Sequence, residues 1–236
     1  MPIRIGSRVF SPRWFTSALT VVLLAVLLSL GRWQLQRADQ KQALFDAFAA
    51  GATSTLPVAS AVNRYQHVEA DGRYDPDHQI LIDNMIAANG QAGYYVITPL
   101  ELSSGRWLLV NRGWIPVGDR AQLPAVGVRD TTRHIRGRVD QLPRPGIRLG
   151  QAQALAPPFP IRTSFPAFAE IQAALGERRW TGNAEVVLLD RDQSDGYVRE
   201  WGAPGFPPMR HIAYAVQWFG LAFALSVIYV VSNLKS

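Results

Sequence analysis

The stretch Pro207-Pro208-Met209-Arg210-His211-Ile212-Ala213-Tyr214-Ala215-Val216-Gln217-Trp218-Phe219-Gly220 opens an apolar run that continues to Val231. From Ile212 to Val231 about 20 residues carry no formal charge. At ~1.5 Å per residue they are enough to cross a hydrocarbon core of ~30 Å. Two prolines fix the start of the run, and a single cation, Lys235, follows its end. We therefore predict a transmembrane helix over residues 211–231.

Polar side chains lie near the start of this predicted helix. Because successive helical residues turn by ~100°, one stripe carries His211, Tyr214, Trp218, Ala222, Leu225 and Tyr229. Gln217 lies on a flank of that stripe, where its amide needs a partner other than water. An ionisable group at membrane depth is a candidate for function, whereas a histidine and a tryptophan at the boundary can also simply anchor a helix end. The residues alone favour anchoring.

A second apolar run, Trp14 to Leu30, lies near the N-terminus. It follows three arginines and ends in Ser29-Leu30-Gly31, so that a cleaved signal peptide is one interpretation. Trp14 and Trp33 bracket the run, and nineteen steps of ~1.5 Å place them roughly 28 Å apart, which is the spacing of the two interfacial belts of a bilayer. We therefore predict a retained transmembrane helix over residues 14–32.

The first helix is predicted to continue beyond the membrane, because residues 31–45 are rich in strong helix formers and lack proline. Gly51 and Pro57 then interrupt it. In an antiparallel pair of spans, Trp33 and Gln34 lie at the depth of His211. No heptad repeat of apolar residues is visible. Leu35, Ala38, Gln42 and Phe45 recur there at helical spacing.

The charges are distributed as in a membrane protein. The formal net charge is +6, but all 18 acidic residues and about 20 of the 24 basic residues lie between the two apolar runs. The excess therefore sits in the short tails, the pattern of cytoplasmic flanks, and no nucleic-acid partner is expected. Both termini are predicted in the cytoplasm and the middle region in the periplasm of a bacterial inner membrane. There are no cysteines, which excludes thiolate metal sites.

The middle region is predicted to be an α+β domain on an antiparallel sheet with short helices. Its β-branched and aromatic stretches are separated by turn residues. We predict turns at Asp71-Gly72 and Asn89-Gly90, a half-solvated edge strand over 131–139 and an extended loop over 141–160. The remaining elements are predicted as strands over 65–72, 79–84, 93–100, 106–116 and 185–190 and a helix over 165–176.

No catalytic signature is present, since the chain lacks a nucleophile elbow, a phosphate-binding glycine loop and a His-Glu-x-x-His pair. Arg112, beside Trp114, is predicted at a surface strand end, where a guanidinium can stack or clamp a carboxylate. One group of polar residues has two possible roles, to bind a metal ion or to form the ordinary hydrogen bonds of turns. We favour the role in turns. The group consists of His67, Asp71, Asp75, Asp77 and His78.

Six motifs occur in order between and within the two predicted spans. They are Gly31-Arg32-Trp33-Gln34 with Arg37 and Lys41; Gly72-Arg73-Tyr74; the strand Ile80 to Asn84; Gly93-Tyr94-Tyr95-Val96-Ile97-Thr98-Pro99-Leu100; Leu109-Val110-Asn111-Arg112-Gly113-Trp114-Ile115-Pro116; and His211-x-x-Tyr214-Ala215-x-Gln217-Trp218-Phe219. This ordered set resembles the surfeit locus protein 1 family, known in yeast as Shy-type proteins, of cytochrome c oxidase assembly factors. The resemblance covers nearly the whole chain.

The resemblance implies a non-enzymatic helper that binds haem a transiently and assists its insertion into the catalytic subunit of a haem-copper oxidase. The partners it implies are that subunit, haem a synthase and the lipid bilayer. In bacterial relatives the second-span histidine is associated with haem binding, so His211 is the implied iron ligand. Arg32 and Arg37 are possible partners of the haem propionates. The implied haem-binding residues are His211, Tyr214, Gln217, Trp218, Trp33 and Gln34.

Several alternatives stay open at this stage. The outer-domain histidines His67, His78 and His134 offer no clear second axial ligand, which leaves single-ligand or dimer-shared coordination. The rival functions are a scaffold that stabilises the nascent oxidase subunit without binding haem, and an outer-domain copper carrier. The predicted division of the chain is a cytoplasmic tail over 1–13, a transmembrane helix over 14–32, a periplasmic domain over 33–210, a transmembrane helix over 211–231 and a cytoplasmic tail over 232–236.

Overall fold

The computed structural model describes residues 3–5, 8–51, 55–57, 62–128, 131–145, 155–182 and 185–235. It divides into two compact units. The first, here the helical unit, comprises Met1–Asp46 and Ala203–Ser236, and the second, the sheet unit, comprises Ala47–Gly202. Two long apolar helices thus flank a sheet-rich domain with a short helix, and the predicted α+β fold is confirmed. Of the predicted loop over 141–160, residues 146–154 lie outside the described part.

The described elements are three helices and eleven strands. The helices are α1 (Trp14–Ala50), α2 (Phe168–Leu175) and α3 (Pro208–Asn233). The strands of the helical unit are β1 (Ile3–Ile5), β2 (Arg8–Phe10) and β11 (Leu234–Lys235), which pair antiparallel in the order β1-β2-β11. The strands of the sheet unit are β3 (Thr55–Pro57), β4 (His67–Tyr74), β5 (Ile80–Ile86), β6 (Ala92–Leu102), β7 (Trp107–Pro116), β8 (Thr132–Asp140), β9 (Ile161–Thr163) and β10 (Val186–Leu189).

Helices α1 and α3 are both long and apolar enough to cross a membrane, which fits a membrane protein. At 37 residues, α1 is longer than a bilayer requires. The predicted continuation of the first helix beyond its apolar run is therefore confirmed. Helix α1 ends directly before Gly51, as the breaker at that position indicated.

The packed positions of α1 and α3 follow alternating steps of three and four residues, the spacing of a helix pair. On α3 these positions agree with the predicted stripe, except that Ala215 takes the place of Tyr214. On α1 the pattern was not visible in the sequence, because the helix is apolar all round and small or polar residues occupy many of the packed positions. Of the residues that recur at helical spacing beyond the apolar run of α1, Leu35 is exposed and Ala38 is buried. The packed positions are Ser17, Thr20, Leu24, Leu27, Gly31, Gln34 and Ala38 in α1, and His211, Ala215, Trp218, Ala222, Leu225 and Tyr229 in α3.

The sheet unit contains a closed ring of five strands. Each of β4, β8, β10, β7 and β6 pairs with the next, and β6 returns to β4 through Gly72↔Leu102 and Tyr74↔Leu100. Most pairings are antiparallel, as predicted, but β10 runs parallel to β7, β3 to β4 and β9 to β5. The long β6 also carries β5 on its first half. Closure removes the edges that five short strands would otherwise expose.

Strand β10 is buried on both faces, which explains its uninterrupted apolar sequence. Val187 and Leu189 pack inside the ring, in a core contributed by all five ring strands. Val186 and Leu188 face the other way and pack in a second core that includes Ile171 and the end of α2. The predicted strand over 185–190 and the predicted helix over 165–176 are both confirmed, the helix beginning slightly later.

Ring closure overturns two local predictions. The Asp71-Gly72 turn is wrong, because β4 continues through it to Tyr74. A Cβ on Gly72 would lie 2.5 Å from the carbonyl oxygen of Glu101, so this glycine permits a close strand approach. The predicted edge over 131–139 is also wrong, because β8 pairs with β4 on one side and β10 on the other.

Candidate functional site

A hydrogen bond between the two long helices orients His211. Its Nδ1 lies 2.9 Å from Oε1 of Gln34, and both side chains are half-buried. Because an amide oxygen only accepts, this contact places the proton on Nδ1 and leaves the lone pair on Nε2. An imidazole fixed in that tautomer by a partner on its other nitrogen is the usual form of a histidine metal ligand. The proximity predicted from an antiparallel topology is confirmed for Gln34.

The helical step of ~100° determines which residues share a side of this helix pair. Gly31 and Phe219 meet on one side, where a Cβ on the glycine would lie 2.6 Å from the phenyl ring. Relative to the Gln34–His211 contact, Trp33 of α1 and Tyr214 of α3 both project to the side of the helix pair opposite Gly31 and Phe219. We call this side the aromatic flank.

The remaining predicted residues are distributed around the same contact. Tyr214 is 46% exposed and Trp33 is 47% exposed, so the rings of the aromatic flank are accessible. Trp218 lies on the packed stripe and is half-buried, while Gln217 is exposed on the aromatic flank, farther from α1. On the packed stripe of α3, Ala215 is buried at the place for which the sequence predicted Tyr214. Of the six predicted residues, His211 and Gln34 make a direct contact with each other.

Arginines border the aromatic flank. The guanidinium of Arg37 lies 5.6 Å from the ring centroid of Trp33, which places it on that flank. Arg210 precedes His211 and projects to the same side, with its guanidinium 3.9 Å from the Phe206 ring centroid. Arg32, predicted with Arg37, turns away from α3. Arg210 was not singled out from sequence, although its place beside His211 and the helical step would have indicated it.

The sheet unit contains a second polar centre, around Arg112. The predicted surface strand end is wrong, because Arg112 lies inside β7 and is 1% exposed. Its Nε donates to the carbonyl oxygen of Asp195 at 2.9 Å, and its Nη1 donates to Oε1 of Gln79 at 3.1 Å and to the carbonyl oxygen of Val126 at 2.9 Å. The Asp195 carboxylate lies 3.5 Å from Nη2. These bonds join segments distant in sequence, so the guanidinium has a structural role.

The acidic and histidine residues that were considered as a metal site form contacts at separate places. Asp71 accepts from His134 at 2.9 Å, whereas Asp75 lies 2.8 Å from Nδ1 of His78. His67 lies 2.7 Å from a carboxylate oxygen of Asp190, which directly follows β10. Within the described ranges, no group of three His, Asp, Glu or Cys residues is placed to hold a metal ion. These residues therefore serve in turns and in contacts between strands.

The surroundings of Asp75 lower the pKa of its carboxyl. Burial alone would raise the pKa of its carboxyl. Hydrogen bonds from His78, from Arg178 at 2.9 Å and from the backbone N–H of Asp77 at 3.0 Å outweigh burial and hold the pKa below its ordinary value. The charged form is therefore the one that the fold stabilises.

Comparison with known sequences agrees with this architecture. The sequence model of the SURF1 family matches residues 21–223, a range that runs from within α1, through the whole sheet unit, into α3. The chain belongs to the SURF1 family. A SURF1-like protein of Rickettsia felis is 22% identical over 233 residues, which cover 92% of this chain and 96% of the relative. Surfeit locus protein 1 of Takifugu rubripes is 25% identical over 256 residues, covering 94% and 97% of the two chains.

The similarity is stronger over a shorter part of the chain in some SURF1 relatives. A SURF1-like protein of Monosiga brevicollis is 32% identical over 115 residues, which cover 42% of this chain and 43% of the relative. The bacterial and fish relatives, by contrast, match over nearly their full length. The SURF1 assignment therefore covers both the two long helices and the sheet unit.

Proposed function

We propose that this SURF1-family protein is a membrane-anchored assembly factor for cytochrome c oxidase. In this proposal it is not an enzyme. It receives haem a as cargo, holds it transiently through His211 and passes it to the oxidase catalytic subunit. Family membership supports the oxidase-assembly role at the level of the family. The proposal of haem binding is supported by residues of this chain.

The observation that carries the haem proposal is the 2.9 Å contact between His211 Nδ1 and Gln34 Oε1. It leaves Nε2 as the coordinating atom and prevents the ring from turning freely. Haem iron accepts such a neutral imidazole as an axial ligand. A single protein ligand also suits a carrier, because a cargo that is bound too tightly is not released.

The aromatic flank provides surfaces that match the other parts of haem. Trp33 and Tyr214 present exposed rings beside the imidazole, against which the apolar macrocycle can pack. Trp218 supports the same end of α3 from the packed stripe, and Gln217 lies at the outer border. In this arrangement Arg37 and Arg210 bind the propionates, since a guanidinium pairs well with a carboxylate.

The proposed location is the inner membrane of a bacterium, with α1 and α3 as its two spans. Both termini are cytoplasmic because the excess of basic residues lies in the short tails. The sheet unit is then periplasmic. The proposed partners are the oxidase catalytic subunit, which takes the haem, and haem a synthase, which supplies it.

The absorption spectrum tests this proposal. The full-length protein is purified in detergent from cells that synthesise haem a, and its Soret and α bands are compared with those of His211→Ala. We expect near-stoichiometric haem in the unsubstituted protein and loss of both bands in the variant. His134→Ala is the matched control, because His134 is exposed in the sheet unit and pairs with Asp71 there. It should retain the bands.

Other outcomes identify the rival functions. A colourless protein that still co-purifies with the oxidase subunit would refute haem binding and support the scaffold. Haem retained in full by His211→Ala would refute the proposed ligand. Stoichiometric copper binding to the haem-free protein would support the copper carrier, a role for which the described residues offer no three-ligand group.

A further inference from the structure

A cavity of about 370 Å³ lies between the first turns of α1 and the last turns of α3, at the end of the helix pair remote from His211. This size is within the range of sites for small ligands. The haem proposal uses none of its residues. The lining consists of Ser11, Arg13, Thr16, Leu19, Thr20, Leu23, Leu225, Ile228, Tyr229, Ser232 and Asn233.

The polar side of the cavity selects for an anion. Arg13 contributes a positive charge, and the lining contains no carboxylate. Within the described part of the chain, the guanidinium of Arg13 and the hydroxyls of Ser11 and Ser232 have no hydrogen-bond or ion-pair partner. The hydroxyls of Thr16 and Thr20, by contrast, already donate to the carbonyl oxygens of Arg13 and Thr16. Three uncommitted donors therefore line one cavity.

The other side of the cavity is apolar and continues along the helices. Leu19 and Leu23 lie one turn apart on α1, facing Leu225 and Ile228 of α3. Arg13 directly precedes the apolar run, which is the level at which a membrane-spanning helix meets the lipid phosphates. The cavity thus joins an anion-binding mouth to an apolar wall.

We propose that this cavity binds one anionic glycerophospholipid. Its phosphate accepts from Arg13, Ser11 and Ser232, and the upper part of an acyl chain lies against the leucines. Basic pockets between spans on the cytoplasmic side are typical of such lipids. The inference rests on the membrane-spanning part of the proposed function and is independent of haem.

Native mass spectrometry of the detergent-solubilised full-length protein tests the site. Dioleoylphosphatidylglycerol and dioleoylphosphatidylcholine are titrated separately. We expect tighter binding of the anionic lipid and an affinity lowered about fivefold by Arg13→Gln, with partial retention in Arg13→Lys. Ser11→Ala combined with Ser232→Ala should also weaken binding. Arg179→Gln is the charge-matched control, because Arg179 is exposed in the sheet unit, and it should leave binding unchanged.

Three results would overturn the proposal: equal affinity for the two lipids, unchanged affinity in Arg13→Gln, or displacement of the lipid by millimolar inorganic phosphate, which would identify a free-phosphate site. The same samples are scored for haem. His211→Ala should lose haem and keep the lipid, whereas Arg13→Gln should keep haem, so failure of one proposal is distinguishable from failure of the other.

Discussion

Replacing Arg112 by methionine removes a buried positive charge while keeping most of the side-chain volume. The guanidinium is 1% exposed and donates to Asp195, Gln79 and Val126 at 2.9–3.1 Å. Its loss removes the buried cation beside the Asp195 carboxylate, whose side chain is 16% exposed, and leaves Arg133, at 3.5 Å, as the remaining ion-pair partner among the described residues. Removing one member of a buried pair typically costs about 3–5 kcal/mol. For a unit of this size, that corresponds to a melting temperature lower by about 6–20 °C.

Thermal unfolding of the full-length protein in detergent, followed by tryptophan fluorescence, measures this loss. Arg136→Met is the matched control, because Arg136 is also paired with a carboxylate, that of Asp192, but both of their side chains are exposed, at 41% and 60%. An exposed pair contributes at most about 1 kcal/mol. Combining Arg112→Met with Asp195→Asn should restore part of the stability, because the second substitution removes the negative charge that Arg112 no longer balances.

The reasoning is refuted if Arg112→Met lowers the melting temperature no more than Arg136→Met. It is also refuted if Asp195→Asn adds its full separate cost to that of Arg112→Met. Either result would mean that the Arg112 guanidinium does not stabilise the sheet unit through the surrounding acceptors.

Two further predictions concern other hydrogen bonds. Gln34→Leu removes the acceptor of His211 Nδ1 and should weaken haem retention about 10–100-fold in a competition assay with apomyoglobin; Gln36→Leu, at an exposed position of the same helix, should not, and equal effects would contradict the positioning role. Because the folded pKa of Asp75 lies below its ordinary value, its contribution to stability is present above about pH 4 and disappears as pH falls through the folded pKa. Urea unfolding of Asp75→Asn should therefore show lower stability at neutral pH and a smaller loss on acidification, and a loss equal to that of the unsubstituted protein would contradict this.

The features that could be predicted from sequence are those set by local composition. Continuous apolar length predicts α1 and α3, and β-branched runs bounded by turn residues predict most strands. The Asn89-Gly90 turn is an example, since Gly90 has a φ of 82°, which glycine adopts readily. Such signals depend on a few neighbouring residues, and distant packing rarely overrides them.

The features that failed depend on contacts between distant segments. Gly72 has the local signature of a turn, and only the approach of Glu101 from β6 explains it. The alternation of β8 is that of a half-solvated strand, because its outer side chains stay polar even though both of its edges are paired. Arg112 carries a charge, which indicates a surface position, but it lies inside β7 and its acceptors come from remote loops. No local pattern encodes ring closure or these partners.

The candidate haem site could be predicted from the sequence only in part. Antiparallel topology alone predicted that Gln34 reaches the depth of His211, but their hydrogen bond also requires the helices to approach closely. Gly31 and Ala38 flank Gln34 on the packed face of α1, and Ala215 follows His211 one turn later on that of α3. Larger residues at these positions would separate the helices and lengthen the 2.9 Å contact. The small residues therefore allow the contact that orients His211, and in the proposed function this contact leaves Nε2 free to bind iron.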